Sequence, residues 1–465
     1  MSEDATLDEF IEDIDRQNTD RVAPPTELTG IPDDWLAIPL DEISEDNEGA
    51  FVDGPFGSNL KADEMHDEGY ARVIQLQNIR SSEFVDTNHK YISEEKFEEL
   101  QRHGAEPGDL AIAKMSEPVA RACLLPDIEE QYIVVADCIK LTVDESEYNS
   151  LYMMLALNTN PVWKQAFARS RGSTRKRINL TQLKEVQIPT PPLSEQRRIA
   201  TVLDNVDQAI QKTESVIGHY EDLQTGLLRK HFGKSSVQVD YPEKRVDKRL
   251  GPKTYAVPED WEIVQVANIG EVVTGDTPST KNQDYYSGDL PFVTPEDFGD
   301  TKRVHRGSRR LTDEGRQKAR PIPEGAVMMD CIGMDMGKVR IAGREIATNQ
   351  QINSVIVNIE EMLPEFLYFH LKAISNLIQS QAGQTRTPIV SKSQFSSFEI
   401  FNPPISTQRD VVNSLNVFDD LIEKESEYAT QLRRLKRGLM QDLLSGTVRT
   451  TDTNIEVPDE IVQHG

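Results

Sequence analysis

Two short segments carry the side chains best suited to ligand chemistry, Gly172-Ser173-Thr174-Arg175 and Gly383-Gln384-Thr385-Arg386. Each puts a glycine, hydroxyl donors and a guanidinium on one loop. Hydroxyls and backbone N–H groups seat phosphate oxygens, and an arginine fork matches the O6 and N7 acceptors of guanine. The first segment lies within residues 148–184, which hold no Asp or Glu but seven basic residues: Lys164, Arg169, Arg171, Arg175, Lys176, Arg177 and Lys184. The second lies within residues 366–398, also free of acid, with Lys372, Arg386 and Lys392. The whole chain has 465 residues, 78 Asp+Glu against 51 Lys+Arg, and a net charge of −27. Spread evenly, that charge would exclude a nucleic-acid partner. Two acid-free windows at equivalent places instead predict surfaces that face a polyanion.

Further polar turns suit base contacts. They are Gln75, Gln77 and Asn78 in the first half, Thr277, Pro278, Ser279 and Lys281 in the second, and Asn349-Gln350-Gln351. Asn and Gln pair bidentately with adenine, but they also cap turns. A second basic cluster, Lys302, Arg303, His305, Arg306, Arg309 and Arg310, has no clear counterpart in the first half, as expected if two domains read different sequences.

Catalytic signatures are poor. Asn402-Pro403-Pro404 resembles the start of the N-P-P-aromatic motif of adenine DNA methyltransferases, but Ile405 follows where an aromatic would stack on a flipped base. No GxxxxGK[ST] phosphate loop, PD…(D/E)xK set, G-x-S-x-G or H-E-x-x-H is present. The eight histidines are scattered and read as ordinary surface or core residues. Cys123, Cys138 and Cys331 form no C-x-x-C pair, which suits a reducing compartment and argues against structural zinc.

The elements that position these loops come as a repeat. PPLSEQR at 191–197 answers PPISTQR at 403–409. Behind them Ile199, Leu203, Val206, Ile210, Ile217, Tyr220 and Leu227 keep register with Val411, Leu415, Phe418, Ile422, Ala429, Leu432 and Leu439. The steps alternate between three and four residues, a heptad rhythm interrupted by Thr213, Gln224, Glu425 and Lys436. Each segment therefore predicts one long helix that packs on the other, entered through Pro-Pro, capped by Ser194 or Ser406 and stopped at Gly233 or Gly446. Ahead of the helices IPDDW (31–35) matches VPEDW (257–261), and LYMMLAL (151–157) matches LYFHLKA (367–373). Strand-like runs such as YIVVADCIKLTV and INSVIVNI lie between.

The expected plan is α/β (α+β), two tandem domains each followed by a long helix. Residues 1–30 form an acidic disordered tail, 31–190 the first domain, 191–234 its helix and 235–256 a linker. Residues 257–402 form the second domain, 403–449 its helix and 450–465 a C-terminal tail. The opening MSEDATLDEFIEDID lacks a signal-peptide pattern and no apolar run reaches membrane-span length, predicting a soluble cytoplasmic protein. A hydrophobic fraction of 37% with so many carboxylates suits a high-salt cytoplasm.

From about residue 31 to 449 the chain resembles the specificity (S) subunit of type I DNA restriction-modification systems. The carriers are the duplicated plan, both helix entries, GDTPSTKNQDYY (275–286), PFVTPEDF, ATNQQINSVIV (347–357) and GLMQDLLSG (438–446). GPFGSNLK at 54–61 departs from the second half's GDTPSTK. The resemblance implies two target recognition domains, each reading one half of a bipartite double-stranded DNA site, with the helices paired as an antiparallel coiled-coil spacer. It further implies a non-catalytic scaffold without metal or cofactor that recruits two methyltransferase (M) subunits and restriction (R) translocase-nuclease subunits. The alternatives are a coiled-coil adaptor joining two ligand-binding domains and a solitary adenine methyltransferase. The residues expected on DNA are Arg169, Arg171, Ser173, Thr174, Arg175, Lys176, Arg177, Gln75, Gln77, Asn78, Thr277, Ser279, Lys281, Gln384, Thr385, Arg386 and Lys392.

Overall fold

The computed structural model describes residues 28, 30–57, 59–115, 117–172, 175–232, 245–250, 253–299, 301–334, 336–382 and 387–450. Both expected tails fall wholly or mostly outside these residues. The chain divides into two compact units, one of residues 1–211 with 430–465 and the other of residues 212–429. Each unit therefore takes a stretch of both long helices.

The first unit runs through β1 (Leu36–Pro39), β2 (Phe51–Asp53), β3 (Ala71–Ile74), β4 (Tyr91–Ile92), α1 (Glu94–Glu99), β5 (Gly104–Ala105) and β6 (Leu110–Ala113). It continues through β7 (Ala122–Leu124), β8 (Tyr132–Val134), β9 (Cys138–Leu141), α2 (Ser150–Leu157), α3 (Asn160–Arg169), α4 (Leu180–Lys184) and β10 (Gln187–Thr190) into the helix α5 (Leu193–Phe232). One sheet has the order β4-β3-β8-β5, with β3 and β8 parallel, and the other the antiparallel order β2-β9-β6-β7. Strands β3, β6 and β8 are buried along their whole length, so β6 and β8 show no polar alternation, while β3 carries Arg72, buried with its guanidinium paired to Asp86 (2.6 Å). Cys123 and Cys138 are buried thiols between the sheets.

The second unit carries β11 (Arg245–Leu250), β12 (Lys253–Pro258), β13 (Glu262–Gln265), β14 (Gly270–Thr274), β15 (Tyr286–Val293), β16 (Arg303–Val304), β17 (Arg309–Leu311) and α6 (Asp313–Lys318). Next come β18 (Val327–Asp330), β19 (Val339–Ala342), β20 (Ala347–Thr348), β21 (Ile352–Val357), α7 (Pro364–Gln381), α8 (Lys392–Ser397), β22 (Glu399–Asn402) and the helix α9 (Ile405–Leu444). Its sheets have the orders β14-β21-β18-β19-β16 and β17-β15-β20. The described part of the expected linker, from residue 245 on, instead forms with Val257 and Pro258 the antiparallel strand pair β11–β12. Leu250, Tyr255 and Val257 enter the core beside Leu228 and Phe232. Alternation with basic residues hid this strand pair, because charge dominates its composition.

The repeat is visible in how each domain hands over to its helix. β1 pairs with β10 and β13 with β22, both antiparallel, so the strand after a buried tryptophan (Trp35 or Trp261) is zipped to the strand before Pro-Pro. The helices begin at Leu193 and Ile405, which puts Ser194 and Ser406 inside the first turn and not at the cap. The entry is instead stapled by the repeated glutamine of the motif. Buried Gln196 donates to Pro191 O (2.9 Å) and accepts from Asn149 N (2.9 Å). Buried Gln408 donates to Pro403 O (2.9 Å) and accepts from Leu363 N (2.8 Å). Asn149 and Leu363 are the residues preceding α2 and α7, so one side chain ties helix entry to domain helix in both halves.

Each long helix has 40 residues, about 60 Å. Within each unit their stretches run antiparallel. In the first, Asp207 pairs with Lys436 (2.6 Å) and Glu195 with Arg449 (2.7 Å). In the second, Gln224 donates to Asp419 (2.6 Å) and His231 lies against Ser414 (3.4 Å). The polar interruptions Thr213 and Gln224 are buried, and Gln224 also accepts from Lys372 (2.9 Å). Lys302 holds Asp419 (2.9 Å) and Asn416 (2.7 Å), completing a polar cluster that fixes the register of this stretch. Gly446, at φ +73°, turns the chain out after α9, whereas Gly233 lies outside the described residues. Among the described residues no helix is long and apolar enough to cross a membrane.

Candidate nucleic-acid interface

In the first unit the segment after α3 doubles back on itself. Arg171 and Arg177 exchange both backbone hydrogen bonds at 2.9 Å, and Gly172 takes a φ of +115°. A side chain at 172 would meet the Arg175 carbonyl at 2.2 Å, so only glycine closes this loop. The loop is seated on the turn after β6, through Ile178 N to Lys114 O (3.0 Å) and a bridge between Met115 and Arg177. Lys114 in turn pairs with Asp53 (2.9 Å) at the end of β2. Ser173 and Thr174 lie outside the described residues.

The basic residues of this window are not equivalent. Arg177 pairs with Asp137 (2.6 Å), Lys184 with Asp41 (2.7 Å), and Lys176 lies over the Phe167 ring at 4.9 Å. Arg169 is half-buried, near Glu185 (4.0 Å) and the Gln165 carbonyl (3.5 Å), and so supports α3. Arg171 and Arg175 are exposed, and among the described residues neither guanidinium has an ion-pair partner. Among the described residues of the loop, these two guanidinium groups are open to an outside anion.

The Gln75-Gln77-Asn78 turn follows β3. The neighbouring Val135–Asp137 turn borders both features, since Val135 N donates to Ile74 O (3.1 Å) and Asp137 holds Arg177. Asn78 requires a correction as a base-contact candidate. It is wholly buried, its amide nitrogen donates to Val85 O (3.0 Å) and Thr87 O (2.7 Å), and its oxygen accepts from Gln75 N (3.0 Å). Asn78→Ala is expected to lower the first unit's stability by about 1–3 kcal/mol in a denaturant titration and to leave DNA sequence choice unchanged. Gln75 is enclosed by Asn88 (2.6 Å) and Gln77 (3.1 Å), whereas Gln77 itself is exposed.

In the second unit the fold joins two groups that are distant in sequence. Thr277 donates to Gln350 Oε1 (2.7 Å). Asp276 N donates to Thr348 O (2.9 Å), so the 275–281 turn packs on Asn349-Gln350-Gln351. Ser279 and Lys281 are exposed at its tip. The second basic cluster divides: Lys302 and Arg303 are engaged by Asp419 and Glu365, while Arg309 and Arg310 face outward on β17. Lys392 opens α8 and lines a separate shallow depression with Gln265 and Ala267. Gln384, Thr385 and Arg386 lie outside the described residues. The residues that follow them pair with the turn after β18, as those after Arg175 pair with the turn after β6: Val390 N donates to Cys331 O (2.9 Å) and a bridge joins Ile332 and Ile389. The turns after β6 and β18 carry no polar motif and were not legible beforehand.

The family described as the type I restriction modification DNA specificity domain matches residues 58–216 and again 258–434. The MjaVIII type I restriction enzyme specificity subunit of Methanocaldococcus jannaschii is 21% identical over 91% of this chain and 95% of its own length. The HindI specificity subunit of Haemophilus influenzae is 24% identical over 64% and 77%, respectively. Among solved structures, the type I S subunit of M. genitalium superposes with a TM-score of 0.54 at 14% identity, over 90% of this chain and 97% of its own. A chain from a study of type I R-M complex assembly and conformational transition gives 0.53 at 14% identity, over 90% and 100%. The likeness to these structures shows a shared fold. The family match covers well over half of the residues and occurs once in each half, so the chain belongs to the type I restriction-modification DNA specificity family.

Proposed function

We propose that the chain is the sequence-reading subunit of a type I restriction-modification complex working in the cytoplasm. Each unit reads one half of a bipartite duplex target, and the chain itself performs no chemistry. Two methyltransferase subunits, and for restriction the translocase-nuclease subunits, assemble on it. The observation that carries this reading is the twofold family match, with acid-free, arginine-bearing loop segments at equivalent places in the repeat. Arg171 and Arg175, exposed beside partnered Arg177 and Lys176, supply the cationic edge in the first unit. The charge of −27 is compatible with DNA because its acidic residues all lie outside these windows. In a salt-rich cell, where the Debye length is about 3 Å, close base contacts would carry most of the affinity.

The test is to express the full chain with the methyltransferase subunits of its own system and sequence the methylated sites. Arg175→Ala is expected to relax choice at one half-site, about 10- to 100-fold in discrimination, while the other half stays intact. Uniform weakening over all sequences, with a shallower salt dependence, would instead make Arg175 a phosphate contact. If the assembled wild-type complex retained no particular duplex, the reading as a specificity subunit would fall and the adaptor reading would take its place.

A further inference from the structure

The outward-facing arginines of β17 border a concavity of about 700 Å³ that lies wholly within the second unit and whose function is unassigned. Its floor is an irregular stretch of β15. The pairing with β17 shifts register between Tyr286 and Leu290, and Ser287 adopts a φ of +69°. A non-glycine residue in that region is strained and persists where its surroundings hold it, commonly at binding sites. Gly288 lets the strands meet, since a side chain there would come within 2.3 Å of the Leu311 carbonyl. The rim is held from both sides. Tyr286 donates its hydroxyl to Pro278 O (2.6 Å), Thr312 donates to Asp284 O (2.7 Å), and Ser308 N donates to Asp297 (2.7 Å).

The groups offered inside this frame are specific. Arg309 lies over the Tyr286 ring at 5.9 Å, which orients it along the wall. Arg310 is exposed, and its guanidinium has no hydrogen bond or ion pair among the described residues. Gln283 donates its amide nitrogen to Thr280 O (3.2 Å), leaving its carbonyl oxygen as the outward acceptor. An unpartnered guanidinium fork beside an amide acceptor held by its own hydrogen bond matches the major-groove edge of a G·C pair: O6 and N7 of guanine accept from the arginine, and N4 of cytosine donates to the amide oxygen.

The internal repeat supplies the control. In the first unit β4 pairs with β3 as β17 pairs with β15, and each is followed by a short helix capped by a hydroxyl, Ser93 or Thr312. This correspondence sets Lys90 and Tyr91 where the second unit has Arg309 and Arg310. Lys90 is paired with Asp67 (2.6 Å), and Tyr91 donates to Glu129 (2.5 Å), so both are engaged inside the first unit. The feature is therefore particular to the second unit, as a reader of one half-site must be.

Resting on the DNA-recognition reading above, we infer that the concavity at Gln283, Ser287 and Arg310 reads a G·C pair, with guanine taken by Arg310, in the half-site recognised by the second unit. The full chain, assembled with its methyltransferase subunits, is incubated with a duplex library randomised over both half-sites, and the bound fraction is sequenced. Wild type is expected to enrich a guanine at one position that Arg310→Ala relaxes about 10- to 100-fold, with the other half-site unchanged. Arg310→Lys keeps the charge but loses the fork. It is expected to retain overall binding while losing the same discrimination, and it decides the matter if the alanine variant fails to fold. An unaltered motif in Arg310→Lys, equal weakening on all sequences, or a wild-type motif without a G·C pair overturns the assignment while leaving the DNA-recognition reading intact. Absence of any enriched sequence with wild type removes that reading, and this proposal with it.

Discussion

Arg449→Ala is expected to destabilise the first unit by about 3–5 kcal/mol. Arg449 grips two carboxylates at once. Its guanidinium reaches both oxygens of Asp34 (2.7 and 2.6 Å) and both oxygens of Glu195 (2.9 and 2.7 Å). The hydrogen bond from Arg449 holds the Asp34 carboxyl below the usual carboxylate range. Asp34 is exposed, however, and water would replace that bond at little cost. Glu195 differs because it is wholly buried in the first turn of α5. Removing the arginine leaves a desolvated carboxylate without its counter-charge, and the figure is assigned to that residue alone. Urea titration of the full chain followed by a probe in the first unit, such as Trp35 fluorescence, would measure it. Arg449→Lys is expected to recover only part of the loss, since an ammonium cannot span both carboxylates in the same geometry. A change below about 1 kcal/mol would show that Glu195 finds other solvation.

Acidification is expected to weaken the second unit between pH 6.5 and about 4, before most carboxylates titrate. His370 is wholly buried among Phe232, Phe366 and Phe401. Its Nε2 accepts from Phe401 N (3.0 Å), which requires the unprotonated nitrogen. Burial pushes its pKa down to about 3, and burial likewise pushes His231 down to about 4. Both values lie below the ordinary 6.5, so the unfolded chain binds more protons throughout the interval. Stability is full above pH 6.5 and falls as the pH drops, by about 1.4 kcal/mol per pH unit for a buried histidine, until its folded pKa is reached. Equilibrium unfolding at several pH values reads the slope directly. His370→Phe is expected to flatten it while costing about 1–3 kcal/mol at neutral pH, because Phe401 N–H loses its acceptor. An unchanged slope in that variant would move the acid sensitivity elsewhere.

The residues most legible beforehand were those whose role repeats along the chain. The Pro-Pro entries and the three-four apolar rhythm specified two equal helices, because a buried seam must recur every half-heptad whatever surrounds it. The tryptophans of IPDDW and VPEDW marked the strands that close each domain, although nothing in those letters named their partners β10 and β22. The glutamines of the entries stood out as repeated. That they staple the helix to Asn149 and Leu363 depends on chain segments far away in sequence. Ser194 and Ser406 had the composition of caps, but the helices start at Leu193 and Ile405, directly after the prolines and two residues earlier than those caps would set.

For the interface the boundary lies elsewhere. Composition located the acid-free windows, because charge is carried by residue type and survives any fold. It could not separate Arg175 from Arg177, or Gln77 from Asn78, because whether a polar group faces water or a carbonyl is set by neighbours brought up from other strands. The same holds for Arg309 and Arg310 against Lys90 and Tyr91. The sequence by itself determined a duplicated α/β architecture with two paired helices through periodicity and repetition, and two acid-free windows through charge distribution, while its motifs resembled those of a family of DNA-specificity proteins. Tertiary structure alone decided which cations are already neutralised within the fold and which remain open to an outside partner, because that depends on distances of a few ångströms between residues tens of positions apart.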